Sequence, residues 1–350
     1  MNRLATALVA GLATMLIAAP ILAQRSDRPS RECVREIVQL CGRDRSKIRS
    51  CLQEKASQLS EGCAAEVRER AQQRGQRGRR SRDGAAGGQF QSSAKIDRTI
   101  FYGQHQRQQI DVYEPDDAVD ELPMIIFIHG GGWSFGNHKT TVQNKPNHFN
   151  GNGYYFASTG YRLLPDAPVE QQAQDIGAAI RALRGQASAI GFDPDRIVLM
   201  GHSAGAHLAA LVATDPQYAG DAFAAIKGVV LLDGAGYDVT AIMADPAPQA
   251  AQIYRTAFGN DPARQAALSP VTHVGGRDAP NWLALYVEER DRAKVQAEML
   301  VAGLQAAGAN AEAVAIAGTD HGRMNRELGT EDGAEQTSAV GRFLASTFDG

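Results

Sequence analysis

Cysteine is scarce in this chain of 350 residues and absent from residue 64 onward. Its four cysteines are Cys33, Cys41, Cys51 and Cys63. None of them has the close C-x2-4-C spacing typical of zinc sites, which disfavours a metal there. In an exported protein such a cluster instead predicts a disulfide framework. A zinc site remains the alternative interpretation.

Long apolar runs are also rare, and the main one lies at the N-terminus. Arg3 precedes an uncharged, mostly apolar stretch from Leu4 to Ala19, and the small residue Ala23 follows shortly after. This layout is typical of a secretory signal peptide. We predict a signal peptide over residues 1–23, cleaved near Ala23, and an exported protein that is periplasmic or secreted. A retained anchor is the alternative, since about 20 apolar residues can span a bilayer. No cysteine closely follows the run, so lipid attachment has no acceptor.

The net charge is small, at -3, but it is unevenly distributed. Residues 24–83 carry a net charge of +7, whereas residues 84–350 carry a net charge of -11. This contrast predicts two bodies of opposite sign.

The cysteine-rich segment, residues 24–72, has apolar positions at helical spacing on both sides of a break near Gly42. The pattern predicts a hairpin of two antiparallel helices. In such a hairpin only nested pairing keeps two disulfides at matched heights. The predicted pairs are therefore Cys41–Cys51 near the turn and Cys33–Cys63 at the open end. The spacing resembles a small cysteine-rich repeat of some secretory-pathway proteins, which implies no activity.

Residues 73–93 form a basic segment rich in glycine, arginine and serine, and seven arginines lie between Arg68 and Arg82. Such a composition cannot bury enough apolar surface to order itself, and it predicts a flexible linker. Its charge would attract it to anionic lipid or polysaccharide in the cell envelope. A solvated tether is the alternative.

Residues 94–350 alternate short apolar runs with longer helical patterns, which indicates an α/β domain with a mostly parallel sheet covered by helices on both faces. The predicted strands are Ile110–Tyr113, Met124–Ile128, Tyr154–Ser158, Ile197–Met200, Val229–Leu232, Leu283–Glu288 and Ala313–Ala317. The predicted helices are Val169–Gly185, Ala204–Ala213, Ala250–Phe258, Ala293–Ala307 and Glu335–Thr347.

A G-x-S-x-G motif lies between a predicted strand and a predicted helix, and it reads Gly201-His202-Ser203-Ala204-Gly205. A sharp strand-to-helix turn holds a nucleophilic serine in a strained conformation and needs small residues two positions before and after it. Gly201 and Gly205 meet that need. The motif therefore predicts Ser203 as a nucleophile.

A glycine-rich segment follows the strand Met124–Ile128 and reads His129-Gly130-Gly131-Gly132-Trp133. Acyl transfer places negative charge on the carbonyl oxygen, which fixed backbone N–H groups can stabilise. Glycines allow the backbone to approach that oxygen closely. We expect the N–H groups of Gly131 and Gly132, with that of Ala204, to form an oxyanion hole.

These motifs resemble those of the α/β-hydrolases, specifically the HGGG-type esterases related to hormone-sensitive lipase and the kynurenine-formamidase-like enzymes. Further marks of the resemblance are the segments Tyr161–Pro165 and Phe192–Ile197. It extends from about Lys95 to the C-terminus and implies the α/β-hydrolase fold with carboxylesterase activity. It also implies a triad in the chain order serine, acid, histidine.

Three histidines follow the nucleophile, and His321 is the predicted base. His207 lies on the helix that leaves the turn and cannot reach back, whereas His273 precedes a later strand. His321 follows the strand Ala313–Ala317, where the fold places the base.

The acid is predicted to be Asp291, after the strand Leu283–Glu288. Its thirteen-residue interval to Leu304 matches the resembling esterases, although its arginine flanks depart from their usual small or apolar neighbours. Glu289 is the near alternative. Asp233, after the strand Val229–Leu232, is the other.

In the predicted mechanism His321 takes the proton of Ser203, the alkoxide attacks an ester carbonyl, and water later clears the acyl-enzyme. No metal and no organic cofactor are needed. The expected partner is a small-molecule ester with a short-chain or aryl group, and no nucleic acid.

The stretch from Asp233 to Val274 is too long for a simple connection and predicts a small helical cap. The candidates to line a substrate pocket are Trp133, Phe135, Tyr161 and Tyr237, with core packing as the alternative for each. No long apolar lid is present, which argues against a lipase acting on insoluble lipid.

Three rival functions remain. The same triad would cleave an N-formyl amide, as in kynurenine formamidase. A serine peptidase of related fold usually carries a large gating domain, which the N-terminal segment is too short to form. The third is a cell-envelope binding protein without catalysis, which would not need Ser203, Asp291 and His321 together.

Overall fold

The computed structural model describes residues 31–41, 55, 58–65, 94–116, 121–244 and 248–348. The chain divides into two units, one within residues 1–88 and the other within residues 89–350. The predicted signal peptide and the predicted linker lie outside the described residues, so both stay predictions.

The N-terminal unit contains helix α1 (Arg31–Cys41) and a helical turn at residues 61–65. Cys33 and Cys63 form a disulfide and pack with Leu59 in a small buried cluster. The Ser60 hydroxyl accepts a hydrogen bond from the Cys63 N–H at 3.4 Å, as a residue at the start of a helix commonly does. The outer disulfide of the predicted nested pair is thus confirmed. Cys51 lies outside the described residues, so the inner pair stays a prediction.

The second unit is built on one eight-stranded sheet with the order β1-β2-β4-β3-β5-β6-β7-β8. The first two pairings, β1 with β2 and β2 with β4, are antiparallel, and the others are parallel. The strands are β1 (Arg98–Phe101), β2 (Gln109–Tyr113), β3 (Leu122–Ile128), β4 (Tyr155–Thr159), β5 (Phe192–His202), β6 (Ile226–Leu232), β7 (Asn281–Val287) and β8 (Asn310–Ile316).

Helices connect these strands, and 3-10 turns lie at residues 220–225, 270–272 and 331–333. The helices are α2 (Lys145–Asn150), α3 (Val169–Gly185), α4 (Ala187–Ile190), α5 (Ala204–Thr214), α6 (Pro216–Ala219), α7 (Val239–Ala244), α8 (Pro248–Phe258), α9 (Pro262–Ala267), α10 (Asp291–Ala306), α11 (His321–Arg326) and α12 (Ala334–Phe348). Within the described ranges, none of them has both the length and the apolar character needed to cross a bilayer.

The central strands are buried on both faces, which confirms the predicted α/β architecture. Ile126 and Leu199 belong to one apolar cluster, whereas their chain neighbours Phe127 and Val198 belong to a second one. Successive side chains of a strand point to opposite faces, so the two clusters lie on opposite sides of the sheet. This burial explains why the strands read as continuous apolar runs.

The first strand was not among the predicted elements. In β1 only Ile100 is buried, and the other three residues are exposed. A short edge strand with one apolar contact has too weak a pattern to be recognised in sequence.

The parallel register brings the carboxyl ends of neighbouring strands to one edge of the sheet. Ile128 of β3 pairs with Gly201 of β5, and His202 pairs with Leu232 of β6. The register continues through β7, whose Val287 pairs with Ile316 of β8. The segments that follow these strands therefore meet at this edge, where open α/β sheets place their sites.

The connection from β6 to β7 carries α7, α8, α9 and the turn at residues 270–272. It thus forms the small helical cap that the length of this stretch predicted.

Candidate active site

Ser203 occupies the sharp bend between β5 and α5. Its φ is +56°, a conformation that is uncommon outside glycine and costly to hold. A Cβ added to Gly201 would lie 2.2 Å from the carbonyl oxygen of Gly205. A Cβ added to Gly205 would lie 2.1 Å from the carbonyl oxygen of Ile128. The bend therefore requires both glycines of the motif, as expected for a nucleophile turn.

His321 lies beside the serine at the start of α11, just after β8. Its Nε2 is 3.0 Å from Ser203 Oγ, within reach of a hydrogen bond from the hydroxyl. The Asp320 side chain accepts hydrogen bonds from the N–H groups of Gly322 and Arg323 at 2.9 and 2.8 Å. These hydrogen bonds cap the N-terminus of α11 and therefore fix the position of His321.

Asp233, which directly follows β6, is the carboxylate that contacts His321. Its Oδ2 is 2.6 Å from Nδ1 of His321, and its Oδ1 accepts the Val287 N–H at 3.1 Å. The prediction that Asp291 holds this position is wrong, because Asp291 is an exposed residue at the start of α10. Glu289 is exposed as well.

The sheet order explains this correction. Strand β6 is the direct neighbour of β5, and Ser203 N–H donates to the carbonyl of Leu232 at 3.1 Å. The residue after β6 therefore lies next to the residue after β5. Asp291 instead comes after β7, which lies one strand farther from β5 than β6 does. A turn closed by the hydrogen bond from Arg290 N–H to the Val287 carbonyl separates it from the end of β7. The available signal was an aspartate directly after the apolar run Val229–Leu232.

Arg290 adds a positive charge to this pair. Its Nη1 contacts Asp233 Oδ2 and lies 2.7 Å from His321 Nδ1. Both nitrogens are donors when His321 carries its proton on Nδ1, so the Asp233 carboxylate serves as their shared acceptor. Sequence reasoning noted this arginine only as an unusual flank of Asp291.

The environment of Asp233 keeps it ionised. Burial would raise the pKa of this carboxyl, but hydrogen bonds from His321 and the Val287 N–H, with the charge of Arg290, bring the pKa below its usual value. A carboxylate in this position can stabilise a protonated imidazole.

The glycine-rich segment after β3 lies against Ser203. A Cβ added to Gly130 would be 3.0 Å from Ser203 Cβ. Gly131 and Gly132 have φ values of +129° and +54°, which favour glycine. Among the described residues, neither of their N–H groups donates a backbone hydrogen bond. The N–H of Ala204, at the first position of α5, has no partner within its helix.

His202, the variable residue of the motif before the serine, was not singled out from sequence. Its Nε2 is 2.8 Å from the backbone carbonyl of His321, and the two rings are 4.7 Å apart. Burial lowers the pKa of His202 to about 3, so it is neutral and donates through Nε2. It thereby ties the backbone of the base to the nucleophile turn.

His207, on α5, joins this turn to the cap. Trp133 Nε1–H donates to its Nδ1 at 3.2 Å. The ring proton must then be on Nε2, which donates to the carbonyl of Leu268 at 2.8 Å. The indole of Trp133 also packs edge-on against Phe258 of α8. These contacts hold the helical cap against α5 and against Trp133 at the end of the glycine-rich segment.

The predicted pocket-lining residues differ in solvent exposure. Trp133, Tyr161 and Tyr237 are at most 3% exposed and belong to the core, so the prediction that they line the pocket is wrong. Phe135 is 65% exposed and lies beside the glycine-rich segment with Ile253, which is 48% exposed. A Cβ on Gly132 would be 3.2 Å from the Ile253 side chain and 3.7 Å from that of Phe135. These two side chains form an apolar rim beside the glycine-rich segment.

The described part of the chain brings together no group of three or more histidine, cysteine or carboxylate side chains that could hold a metal ion. The candidate site consists of hydrogen-bonded side chains and backbone amide groups.

A model of the BD-FAE family matches residues 110–286, which is half of the chain. Carboxylesterase NlhH of Mycobacterium tuberculosis is 35% identical over 117 residues, covering 33% of this chain and 37% of its own. Kynurenine formamidase of Danio rerio is 26% identical over 243 residues, covering 67% and 77%. The chain spans only 25% to 37% of the length of the first curated relatives that it matches.

Among solved structures, esterase B from Lactobacillus rhamnosis superposes with a TM-score of 0.62 at 23% identity, covering 81% of this chain and 97% of that one. At this identity the likeness shows the fold alone, and that fold is the predicted α/β-hydrolase fold.

Proposed function

This chain belongs to the BD-FAE family, and on that premise we propose that it is a carboxylesterase-type serine hydrolase that cleaves small carboxylic esters. The observation that carries the proposal is one continuous line of contacts. It runs from Asp233 to His321 at 2.6 Å and from His321 to Ser203 at 3.0 Å, beside the glycine-rich segment.

The geometry supports nucleophilic catalysis through an acyl-enzyme. His321 Nε2 accepts the proton of Ser203 as the hydroxyl attacks the ester carbonyl, and Asp233 stabilises the imidazolium that forms. His321 then donates the proton to the leaving alcohol. Water, deprotonated by the same imidazole, releases the acid and restores the serine.

The backbone supplies the oxyanion stabilisation in this proposal. The N–H groups of Gly131, Gly132 and Ala204 would face the negative oxygen of the intermediate, and the contact of Gly130 with Ser203 supports this role for the glycine-rich segment. Removing one such donor typically costs about 3 kcal/mol in the transition state.

The rim and the cap favour short-chain or aryl esters. Phe135 and Ile253 offer apolar surface to an aryl or alkyl group beside the nucleophile. The cap helices α7, α8 and α9 have 6, 11 and 6 residues. Such short helices do not form the long apolar lid expected of an enzyme that acts on insoluble lipid.

We also propose that the protein is exported and periplasmic or secreted. The proposal is supported by the N-terminal sequence pattern and by the Cys33–Cys63 disulfide, since disulfides form and persist in oxidising compartments.

The direct test replaces Ser203 by alanine. We expect Ser203→Ala to lose labelling by a fluorophosphonate probe and turnover of p-nitrophenyl acetate, with an unchanged circular dichroism spectrum. Ser134→Ala is the matched control, because Ser134 is an exposed serine next to the glycine-rich segment. Unchanged labelling of Ser203→Ala would overturn the proposal, because another residue would then be the reactive nucleophile. A wild-type protein with neither labelling nor turnover would favour a non-catalytic envelope binding protein.

An N-formyl amide is the second candidate substrate. It is favoured by the match to a kynurenine formamidase over 77% of that protein's length. Parallel kcat/KM measurements on N-formylkynurenine and p-nitrophenyl acetate separate the two. A clear preference for the amide would make the protein a formamidase with the same triad.

A further inference from the structure

Lys145, the first residue of α2, has no solvent exposure. Within the described ranges no carboxylate lies within ion-pair distance of its Nζ. Lysine is almost never fully buried unless it is paired. A lysine held in the interior without a carboxylate therefore calls for another kind of partner.

Its partners are oxygen atoms and one ring. Nζ donates to the backbone carbonyl of Asn325 at 2.7 Å. The oxygens of Thr141, Val142 and Gln143 lie farther away, at 3.4 to 3.5 Å. Nζ also lies 4.8 Å from the centre of the Phe127 ring, a favourable contact when the amine carries its third proton. The short bond to Asn325 is therefore the main polar contact of Lys145.

Asn325 belongs to α11, the helix that begins with His321. Its carbonyl is one of the last in the helix and lacks a partner within it. A cation at this end of a helix is favourable. At about 1.5 Å per residue, the two positions are roughly 6 Å apart along the axis. A shift at the carboxyl end of so short a helix is transmitted to the base.

The segment around Lys145 holds the same helix through further contacts. Asn325 Nδ2 donates to the Thr141 carbonyl and to Gln143 Oε1, both at 3.2 Å. Gln143 has a φ of +44°, a conformation that persists only where the surroundings impose it. Asn144 Nδ2 donates to the carbonyl of Gly329 beyond the helix.

We propose that Lys145 is a positioning residue for His321, acting by clamping the carboxyl end of α11. His202 and Asp233 hold the base from the nucleophile side, and Lys145 holds it from the opposite end of its helix. The inference rests on the proposed function, since it concerns the base of that reaction.

The test compares Lys145→Met, which keeps the length and loses the donor, with Lys145→Arg, which keeps a cation and donors. Lys227→Met is the matched control, because Lys227 also donates to a backbone carbonyl, that of Ala224 at 2.8 Å, but at the start of β6. We expect Lys145→Met to lower kcat about 100-fold, as small misplacements of reacting groups do, with little change in KM. Lys145→Arg should restore part of kcat.

A second measurement reports the position of the base directly. The proton between His321 Nδ1 and Asp233 should give a far-downfield proton resonance in wild type and in Lys227→Met. We expect this resonance to broaden or vanish in Lys145→Met. Leu183→Ala, a buried substitution in α3, serves as a control for lowered stability and should keep both the resonance and kcat.

The outcomes are distinct. The inference would be overturned if Lys145→Met kept the resonance and the kcat of wild type. It would also be overturned if Leu183→Ala, at a melting temperature similar to that of Lys145→Met, lost the resonance and kcat to the same extent. If Lys145→Met does not fold, Asn325→Ala takes its place, since it removes the side-chain part of the same clamp, and unchanged kcat and resonance there would overturn the inference. If the wild-type protein shows no turnover that depends on Ser203, only the proposed function is refuted. The inference about Lys145 is still tested in that case, because the proton resonance reports the position of His321 without turnover.

Discussion

Replacing Asp233 by asparagine tests which carboxylate serves the base, and Asp291→Asn makes the same chemical change at an exposed position. The structure places Asp233 Oδ2 at 2.6 Å from His321 Nδ1. An asparagine there removes the negative charge. Its amide can also donate to Nδ1, which would leave the imidazole proton on Nε2, the nitrogen that must accept the proton of Ser203.

The expected loss is large because the tautomer and the charge both change. A comparable aspartate-to-asparagine change in a serine protease lowers kcat about 10⁴-fold, which corresponds to about 5 kcal/mol in the transition state. Arg290 adds to the loss, since its guanidinium would then face the imidazolium without a carboxylate between them. For Asp291→Asn we expect a change in kcat of less than about 2-fold, because Asp291 is exposed and its replacement should alter the free energy of unfolding by at most about 0.5 kcal/mol.

The assay is steady-state turnover of p-nitrophenyl acetate together with the final extent of fluorophosphonate labelling of Ser203. Labelling counts competent sites, so it separates a slow enzyme from a small active fraction. Circular dichroism checks that both variants fold. The reasoning would be refuted if Asp291→Asn lost activity by orders of magnitude while Asp233→Asn kept it within 10-fold of wild type.

Other predictions address the oxyanion hole, the buried histidines and the N-terminal unit. Gly131→Ala should lower kcat, because its Cβ would lie 1.9 Å from a backbone carbonyl oxygen and force the segment to move; unchanged kinetics would contradict this. Burial lowers the pKa of His129 to about 3 and of His207 to about 4. His202, whose pKa burial also lowers to about 3, behaves in the same way. The unfolded chain therefore binds up to three more protons in acid, so urea titrations should show the free energy of unfolding falling by up to about 4 kcal/mol per pH unit between roughly pH 6 and pH 4.5. A chain that starts at Ser93 should keep full ester turnover, and reduction of Cys33–Cys63 in the full chain should leave turnover unchanged; loss in either would mean that the N-terminal unit helps to build the site.

Much of the fold could be predicted because its signals are local. Strands β3, β5, β6 and β7 each contain a continuous apolar run, and α3 was predicted with the bounds that the structure has. Ser203 could be recognised because a glycine on each side is a steric requirement of the turn itself. Short elements such as α2 and α11 escaped prediction, since six residues carry too little periodicity.

The triad acid could not be chosen from sequence alone. Asp233 and Asp291 both follow apolar strands, and chain order allows either of them. Only the strand order, with β6 directly beside β5, decides that Asp233 reaches His321.

The sequence by itself determined the residues whose role follows from a local constraint: the strained serine, the glycines around it and the glycine-rich segment after β3. The tertiary structure alone decided which distant groups meet them, including Asp233, Arg290 and Lys145. The physical reason is that contacts across a sheet depend on strand order and register. Those are set by the packing of the whole core, and no local pattern records them.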